Sequence, residues 1–346
     1  MKYNIGNDRL LECLDDIKSD FGDINIVDKF KEGRNNLVLK LSDNKNFYVL
    51  KIYSRKDNFN LEKLKREEYF LKYMRKMNID NVPLLIKSNI KKMYILISYL
   101  EGENIISIDR KFTKKYFNFI KEINLFKNLK DNYIIKAAES CTNSEQLIKL
   151  IDIRMEDIKC GSHIINKNVS QLIFKYIYPE WVLLRKKIEV MEKYLALDLR
   201  EEIISLSDVG IHNCLQRNKE ILFFDFEHSG KDDIAKLAID FTLQPDAINL
   251  PKYTYEMFSI LYEIDKSNIN WLKRYKTYIP VYRIKWCLIM LKRLKINFEY
   301  ESKDELDSYL RKIYEYFEKS KNLVNSSLDI CIDFIDSKKE DAEVFF

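Results

Sequence analysis

The sequence has few of the residues from which disulfide scaffolds, zinc sites and membrane spans are built. Its six cysteines include no C-x-x-C pair and it has only three histidines, so neither a disulfide framework nor a zinc site is expected. Purely apolar stretches such as 94–97 and 287–291 are far shorter than the ~20 residues that span a bilayer. The amino-terminal residues also lack the basic and apolar segments of a signal peptide. We therefore expect a cytoplasmic protein without a membrane span.

A strong excess of one charge is also absent. The chain has 59 Lys and Arg against 54 Asp and Glu, a net charge of +5 at pH 7, and the two signs are interleaved along it. This disfavours a dedicated nucleic-acid-binding protein. With 346 residues, of which 46% are hydrophobic, the chain is long enough to bury a sizeable core. Only seven residues are glycine, and each is expected where a side chain would be awkward.

Two kinds of hydrophobic spacing divide the chain. The amino-terminal part combines a helical pattern at 7–20 with a second helix that has Asn60 as its N-cap. Its strand-like segments are 24–27, 37–39, 47–53, 84–86 and 94–99. Beyond Gly102 helical spacing prevails, apart from a strand pair near 215 and 221–224. We predict an α+β fold, in which a small five-stranded antiparallel sheet with one inserted helix precedes a larger, mainly helical part.

The segment with the most chemical content is LSDVGIHN at 206–213, followed by ILFFDFE at 221–227. Asn213 follows Asp208 by five positions, and Asp225 ends an apolar strand twelve positions later. Enzymes that transfer a phosphoryl group from ATP to a hydroxyl group use this arrangement. One carboxylate accepts the alcohol's proton, while the other carboxylate and the amide oxygen hold magnesium against the phosphates.

These motifs resemble those of the aminoglycoside phosphotransferase and choline kinase superfamily. Its catalytic loop, H-x-D-x-x-x-x-N, corresponds to 208–213 with Leu206 in place of the histidine, and a histidine appears instead as His212. Its metal-binding I-D-F/W-E strand end corresponds to 224–227, and its G-x-x-D-P-A pattern corresponds to 230–235. The resemblance extends over about residues 24 to 300, but only 206–241 is specific.

The resemblance implies a protein-kinase-like fold with two lobes. The N-lobe would comprise residues 1–97, the hinge 98–104, and the helical C-lobe 105–346 with the catalytic loop and the acceptor pocket. By the same resemblance Asp208 is the catalytic base, and Asn213 and Asp225 are the ligands of Mg²⁺.

A lysine on the third strand and a glutamate on the following helix complete the resemblance. Lys51 would contact the α- and β-phosphates of ATP, although a lysine between apolar neighbours can also point to solvent from an edge strand. Its partner is Glu67 or Glu68, since both fall near the inward face of the helix. The superfamily's R-E-x-x-F-L pattern favours Glu67.

The remaining nucleotide contacts are inferred from position. Gly33 in the turn KEGRNN would let the backbone approach the phosphates, and Asn35 or Asn36 would donate to them; a plain hairpin turn explains the same residues equally well. Ser98 and Leu100 would contact adenine through their backbone atoms at the hinge.

The sequence therefore predicts an ATP- and Mg²⁺-dependent kinase acting on a hydroxyl of a small molecule, such as a sugar, an amino alcohol or a surface-polysaccharide precursor. The alternative is a catalytically silent pseudokinase that serves as a binding protein or a spore-coat-like scaffold, for which Leu206 and the reduced nucleotide loop argue. A protein kinase is disfavoured, because 227–232 leave no room for an activation loop.

Overall fold

Two compact units make up the protein, as seen in a computed structural model. The described residues are 7–30, 36–55, 58–125, 135–165, 167–191, 202–245, 251–264, 269–296 and 303–343. The first unit consists of Met1–Ser107, Phe126–Ala138 and Leu206–Gly230, and the second of Ile108–Leu125, Glu139–Ser205 and Lys231–Phe346. This division assigns the predicted catalytic loop and metal strand to the same unit as the sheet. The lobe boundaries at residues 97 and 104 stay a prediction.

In its described residues, the first unit contains two α-helices, a large sheet and a small one. Its elements are α1 (Asn7–Phe21), β1 (Asn25–Lys29), β2 (Asn36–Ser42), β3 (Phe47–Tyr53), α2 (Asn58–Lys76), β4 (Leu85–Asn89), β5 (Tyr94–Ser98), β6 (Glu103–Asn104), β8 (Cys214–Arg217) and β9 (Glu220–Phe223). A single 3₁₀ turn at Ile211–Asn213 precedes β8. The order of the small sheet is β6-β8-β9.

The five-stranded sheet has the order β1-β2-β3-β5-β4, and every neighbouring pair is antiparallel. This confirms the predicted five-stranded antiparallel sheet. The predicted N-cap was wrong, because α2 begins at Asn58 and Asn60 is a buried residue within its first turn. β6 has two residues and went unpredicted, since so short a strand shows no alternation.

Alternation along β3 decides which side chains face which helix. Leu50 and Ile52 belong to a buried cluster that also contains Cys13, Leu14 and Ile17 of α1. Successive side chains of a strand point to opposite faces of the sheet. The side chain of Lys51 is therefore on the face away from α1, and β3 has a paired strand on each side.

The second unit is mainly helical. Its elements are α3 (Arg110–Ile123), α4 (Ser144–Ile165), α5 (Lys167–Gln171), a π-helical segment (Leu172–Ile177), α6 (Tyr178–Met191), β7 (Glu202–Ser205), β10 (Gly230–Asp233, of which Gly230 is assigned to the first unit), α7 (Ile234–Leu243), α8 (Pro251–Tyr262), α9 (Asn270–Ile296) and α10 (Lys303–Glu343). β10 pairs with β7. Within the described ranges, no helix is both long and apolar enough to span a membrane.

Helix α7 lies at the centre of the second unit, since all ten of its residues are buried. Asp233 is its N-cap and accepts a hydrogen bond from the Ala235 N–H at 2.9 Å. The guanidinium of Arg274 on α9 donates to both carboxylate oxygens of Asp233, at 2.8 and 2.9 Å. One buried carboxylate thus starts α7 and binds α9 to it.

Replacing Asp233 by alanine should destabilise the protein by about 3–5 kcal/mol, because it removes the buried carboxylate that faces Arg274 as well as the cap. The free energy of unfolding in urea, followed by circular dichroism, measures this loss. Asp109, an exposed N-cap of α3 that accepts from the Phe112 N–H, is the matched control, and Asp109→Ala should cost only about 1 kcal/mol. Equal losses in the two variants would contradict the assignment.

Candidate functional site

Lys51 forms two short salt bridges. Its Nζ lies 2.6 Å from Glu67 Oε2 on α2 and 2.7 Å from Asp225 Oδ1, just beyond β9. Tyr53, two residues further on the same face of β3, donates its hydroxyl hydrogen to Glu67 Oε2. Lys51 is thus a buried lysine on an interior strand, not a solvent-facing lysine on an edge.

The ammonium of Lys51 carries a permanent positive charge. Burial alone would lower the pKa of Lys51, but the carboxylates of Asp225 and Glu67 outweigh this effect and hold the pKa well above its usual value. Burial raises the pKa of Glu67, and Lys51 offsets only part of that rise. A fixed cation therefore lies directly beside the Asp225 carboxylate.

Glu68, the other candidate partner of Lys51, faces elsewhere. Its Oε1 forms a 2.6 Å salt bridge with Lys72 and accepts a 2.8 Å hydrogen bond from the Ser88 hydroxyl. Consecutive helical residues are rotated by about 100° around the axis, which separates the two carboxylates. In this structure Glu67, and not Glu68, contacts Lys51.

Asp225 occupies a turn that few residues adopt. Its φ of 64° lies in the left-handed region, which aspartate tolerates better than most non-glycine residues. The turn brings three consecutive side chains into contact with Lys51 of β3 and with two residues of α2. Asp225 binds Lys51, the ring of Phe226 stacks on Phe70 with centroids 4.5 Å apart, and Glu227 Oε1 lies 2.6 Å from Lys63 Nζ.

The residues of α2 in these contacts occupy one face of the helix. Lys63, Glu67 and Phe70 are spaced by four and three positions, the separations that bring side chains together. We call these three residues, with Lys51, Phe226 and Glu227, the α2 seam. Sequence reasoning missed Lys63, although its position four residues before Glu67 was a usable signal.

The predicted catalytic loop turns sharply around Asp208. Ser207, immediately before it, has a φ of 62°, and the Gly210 N–H donates to Asp208 Oδ1 at 3.3 Å. His212 Nε2 lies 3.7 Å from Asp208 Oδ2. Because a Cβ atom built on Gly210 would lie 2.0 Å from the His212 ring, only glycine lets the imidazole lie in this place.

Position 206 belongs to the hydrophobic interior. Leu206 is buried, and its carbonyl accepts hydrogen bonds from the Asp208 N–H at 2.7 Å and from the Ser229 hydroxyl at 3.1 Å. These backbone bonds hold the loop at position 206.

Asp208 is ionised at neutral pH. Burial would raise its pKa, but the neighbouring imidazoles of His212 and His228 and the hydrogen bond from Gly210 lower the pKa of Asp208 to about 2. A carboxylate in this state can accept a proton.

Asn213 connects the loop to the strand end that carries Asp225. Its carbonyl accepts a 3.1 Å hydrogen bond from the Phe224 N–H, and its own N–H donates to the Gly210 carbonyl at 3.0 Å. The residue is only 6% exposed, yet its side-chain Nδ2 has no hydrogen-bond partner among the described residues. Since buried amides are nearly always paired, this one is suited to a ligand.

The described residues include only Asn36 of the predicted nucleotide loop. Gly33 and Asn35 lie outside the described residues. Asn36, the first residue of β2, donates its Nδ2 hydrogen to Glu227 Oε2 at 2.7 Å, so in this structure its amide nitrogen is bound to the protein itself.

The predicted hinge begins where β5 ends. Ser98 is the last residue of β5; its N–H donates to the Leu84 carbonyl at 2.9 Å, and its hydroxyl accepts from the Leu84 N–H at 2.8 Å. Leu100 lies two residues further and is half-buried. The assignment of both residues to adenine stays a prediction.

Comparison with known proteins supports the fold. No family model and no curated protein sequence matches the chain. A spectinomycin phosphotransferase, solved with ADP and spectinomycin, is 13% identical, with a TM-score of 0.60 over 92% of this chain and 99% of the other. An ethanolamine kinase from Plasmodium vivax is 14% identical (TM-score 0.55; 86% and 81% covered), and a choline kinase from Streptococcus pneumoniae is 15% identical (0.55; 89% and 99%). At such identities the likeness shows the fold, and it confirms the predicted kinase-like α+β class.

Replacing His212 by glutamine should raise the pKa of Asp208 from about 2 towards its ordinary value, because the protonated imidazole no longer stabilises the carboxylate. The titration of the Asp208 carboxyl carbon by NMR measures this directly.

The pH dependence of the free energy of unfolding should change together with the pKa of Asp208. A lowered pKa in the folded state stabilises the protein above the unfolded value of ~3.9, and this contribution disappears as the pH falls through about 2. His212→Gln should therefore lose less stability than wild type between about pH 4 and 2. An unchanged Asp208 titration in His212→Gln would refute the assignment.

Proposed function

We propose that the protein is an ATP- and Mg²⁺-dependent phosphotransferase that moves the γ-phosphoryl group to a hydroxyl of a small molecule. The observation that carries the proposal is the buried Lys51 between Glu67 and Asp225, in the same unit as the ionised Asp208. Phosphoryl transfer depends on positioning and on neutralising charge, and these residues supply fixed charges of both signs. The names of the similar structures, spectinomycin phosphotransferase, ethanolamine kinase and choline kinase, agree with a small-molecule acceptor.

The chemistry of Asn213 and Asp225 fits a magnesium ion. Mg²⁺ prefers oxygen ligands and is commonly held by one or two carboxylates together with substrate phosphates. The Asp225 side chain is 39% exposed, and Lys51 bonds only its Oδ1. The buried amide of Asn213 can present its oxygen by rotating about its last bond. Within the described ranges no group of three or more His, Cys, Asp or Glu side chains could hold a metal, so phosphate oxygens would complete this site.

When bound, magnesium would neutralise the phosphate charge that increases in the transition state. Lys51 would hold the α- and β-phosphates through charge-assisted hydrogen bonds. Glu67 and the hydroxyl of Tyr53 keep the lysine side chain in place, so its orientation costs nothing when the nucleotide arrives.

Asp208 would act as the general base. Its ionised carboxylate would accept the proton of the acceptor hydroxyl as that oxygen bonds to the γ-phosphorus and ADP leaves, and its Oδ1 is oriented by the Gly210 N–H. His212, 3.7 Å from Asp208 and 61% exposed at its side chain, would stabilise the charged form of this base.

The remaining nucleotide contacts follow from the same assignment. Gly33 and Asn35 would approach the phosphates, and Ser98 and Leu100 would contact adenine. A sugar, an amino alcohol or a surface-polysaccharide precursor is the proposed acceptor, and a cytoplasmic location would supply the ATP.

Asp208→Asn and Asp225→Ala should separate the two proposed roles. Asp208→Asn should lower kcat by ~10²–10⁴-fold and leave nucleotide affinity near normal, as expected for loss of a general base. Asp225→Ala should abolish the thermal stabilisation that ATP with Mg²⁺ gives to the wild type, because a ligand stabilises only the state that binds it. The measurements are a thermal-shift titration and ATP turnover across a panel of alcohols and sugars.

Wild-type protein that is neither stabilised by ATP with Mg²⁺ nor turns it over would refute the enzyme and favour the catalytically silent binding protein. Loss of nucleotide binding in both variants would show that the two aspartates do not have the separate roles assigned to them.

The pair of adjacent glutamates provides a matched test of the lysine's partner. Glu67→Gln removes the charge that holds Lys51 and should weaken binding of Mg²⁺ with a non-hydrolysable ATP analogue by roughly 10–100-fold, the value of a charged hydrogen bond. Glu68→Gln on the same helix should change the affinity by less than about twofold, as expected for a site away from the nucleotide. Isothermal titration calorimetry measures both, and a larger effect of Glu68→Gln would reverse the assignment.

A further inference from the structure

Glu227 lies two residues after Asp225, the proposed metal ligand, and forms a salt bridge with a residue of α2. Its Oε1 lies 2.6 Å from Lys63 Nζ, and its Oε2 accepts the 2.7 Å hydrogen bond from Asn36. Both oxygens of one carboxylate are thus used, one by α2 and one by the first residue of β2. The proposed phosphotransferase mechanism gives none of these three residues a role.

The Lys63–Glu227 pair is almost fully removed from solvent. The side chains are 2% and 10% exposed, respectively. A buried charged pair responds strongly to loss of one partner, whereas an exposed pair has little effect on structure.

The position of Lys63 on α2 links this pair to the nucleotide site. Lys63 is one helical turn before Glu67, and Phe70 is nearly one turn after it on the same face. A shift of α2 that separates Glu67 from Lys51 must therefore also separate Lys63 from Glu227 and Phe70 from Phe226. The three contacts of the α2 seam form or break together.

We propose that Glu227 is a positioning residue that, through Lys63, holds α2 where Glu67 engages Lys51, so that the nucleotide site is assembled before any ligand binds. The proposal rests on the proposed function for its kinetic consequence, but the position of α2 can be measured without a ligand.

Loss of this pair should act on nucleotide affinity more than on the chemical step. If α2 occupies the binding-competent position for only a fraction of the time, the apparent dissociation constant rises by the inverse of that fraction. Once bound, the nucleotide selects the competent position, and kcat at saturation stays close to that of the wild type. A pair that merely stabilised the fold would not produce this separation of KM from kcat.

The test uses the full chain and four variants. Lys63→Met and the double variant Lys63→Met/Glu227→Gln remove the pair; the double variant avoids leaving a lone buried charge, so it folds even if the single one does not. Lys63→Glu/Glu227→Lys restores the pair with its charges exchanged. Lys72→Met, which breaks the 2.6 Å pair with Glu68 on the same helix while Lys72 is 57% exposed, is the matched control.

Two measurements are compared across the variants: native-state hydrogen exchange of the α2 amides without ligand, and the KM for ATP with kcat. In the variants that lack the pair, α2 exchange should accelerate about tenfold and the KM for ATP should rise about tenfold, while kcat changes less than about twofold. The exchanged pair should recover most of both losses, and Lys72→Met should match the wild type.

The double variant overturns the proposal if its α2 exchange and KM both equal those of Lys72→Met. If the wild type turns over no ATP while α2 exchange still responds to loss of the pair, the proposed function fails and the positioning role of Glu227 stands.

Discussion

The buried ammonium group of Lys51 is the constraint on which the first unit depends. A charge removed from water is costly unless it is paired, and Lys51 has two carboxylate partners from elements far apart in the sequence, Glu67 and Asp225. Each partner must lie within hydrogen-bond distance of the same nitrogen atom. The central strand, α2 and the end of β9 are therefore held in a fixed relation by one side chain.

This constraint accounts for the unfavourable backbone around the site. Asp225 adopts a left-handed turn, which costs free energy and persists only where its surroundings impose it. Here the turn allows Asp225, Phe226 and Glu227 to make contacts in succession with Lys51, Phe70 and Lys63. Two charged contacts and one aromatic contact offset the strain of a single residue. The same contacts therefore position the residues of the candidate site and hold α2 against them.

Sequence patterns predicted the parts of this arrangement that depend on local order. Strand and helix patterns predicted the sheet and placed Glu67 and Glu68 near the inward face of α2, because burial imposes a period on each element. The role of Lys51 came from the resemblance, since its strand pattern also fitted a lysine that faces solvent from an edge. The choice between Glu67 and Glu68 needed coordinates, since a rotation of about 100° separates them and either fits the spacing. The Lys63–Glu227 pair was not predicted, because it joins residues 164 positions apart. The position of Lys63 four residues before Glu67 indicates its face of the helix but not its partner.

The low sequence identity of the similar structures is consistent with a fold in which hydrophobic core positions tolerate substitution and buried charged residues do not. Hydrophobic cores tolerate extensive substitution as long as volume and pattern are kept, so a fold can persist at 13–15% identity. A charged residue in the interior has no such freedom, because replacing it leaves its partner buried and unpaired. Lys51 with Glu67, and Lys63 with Glu227, are buried charges of this kind, so the charged contacts of the α2 seam restrict substitution more than the hydrophobic core does.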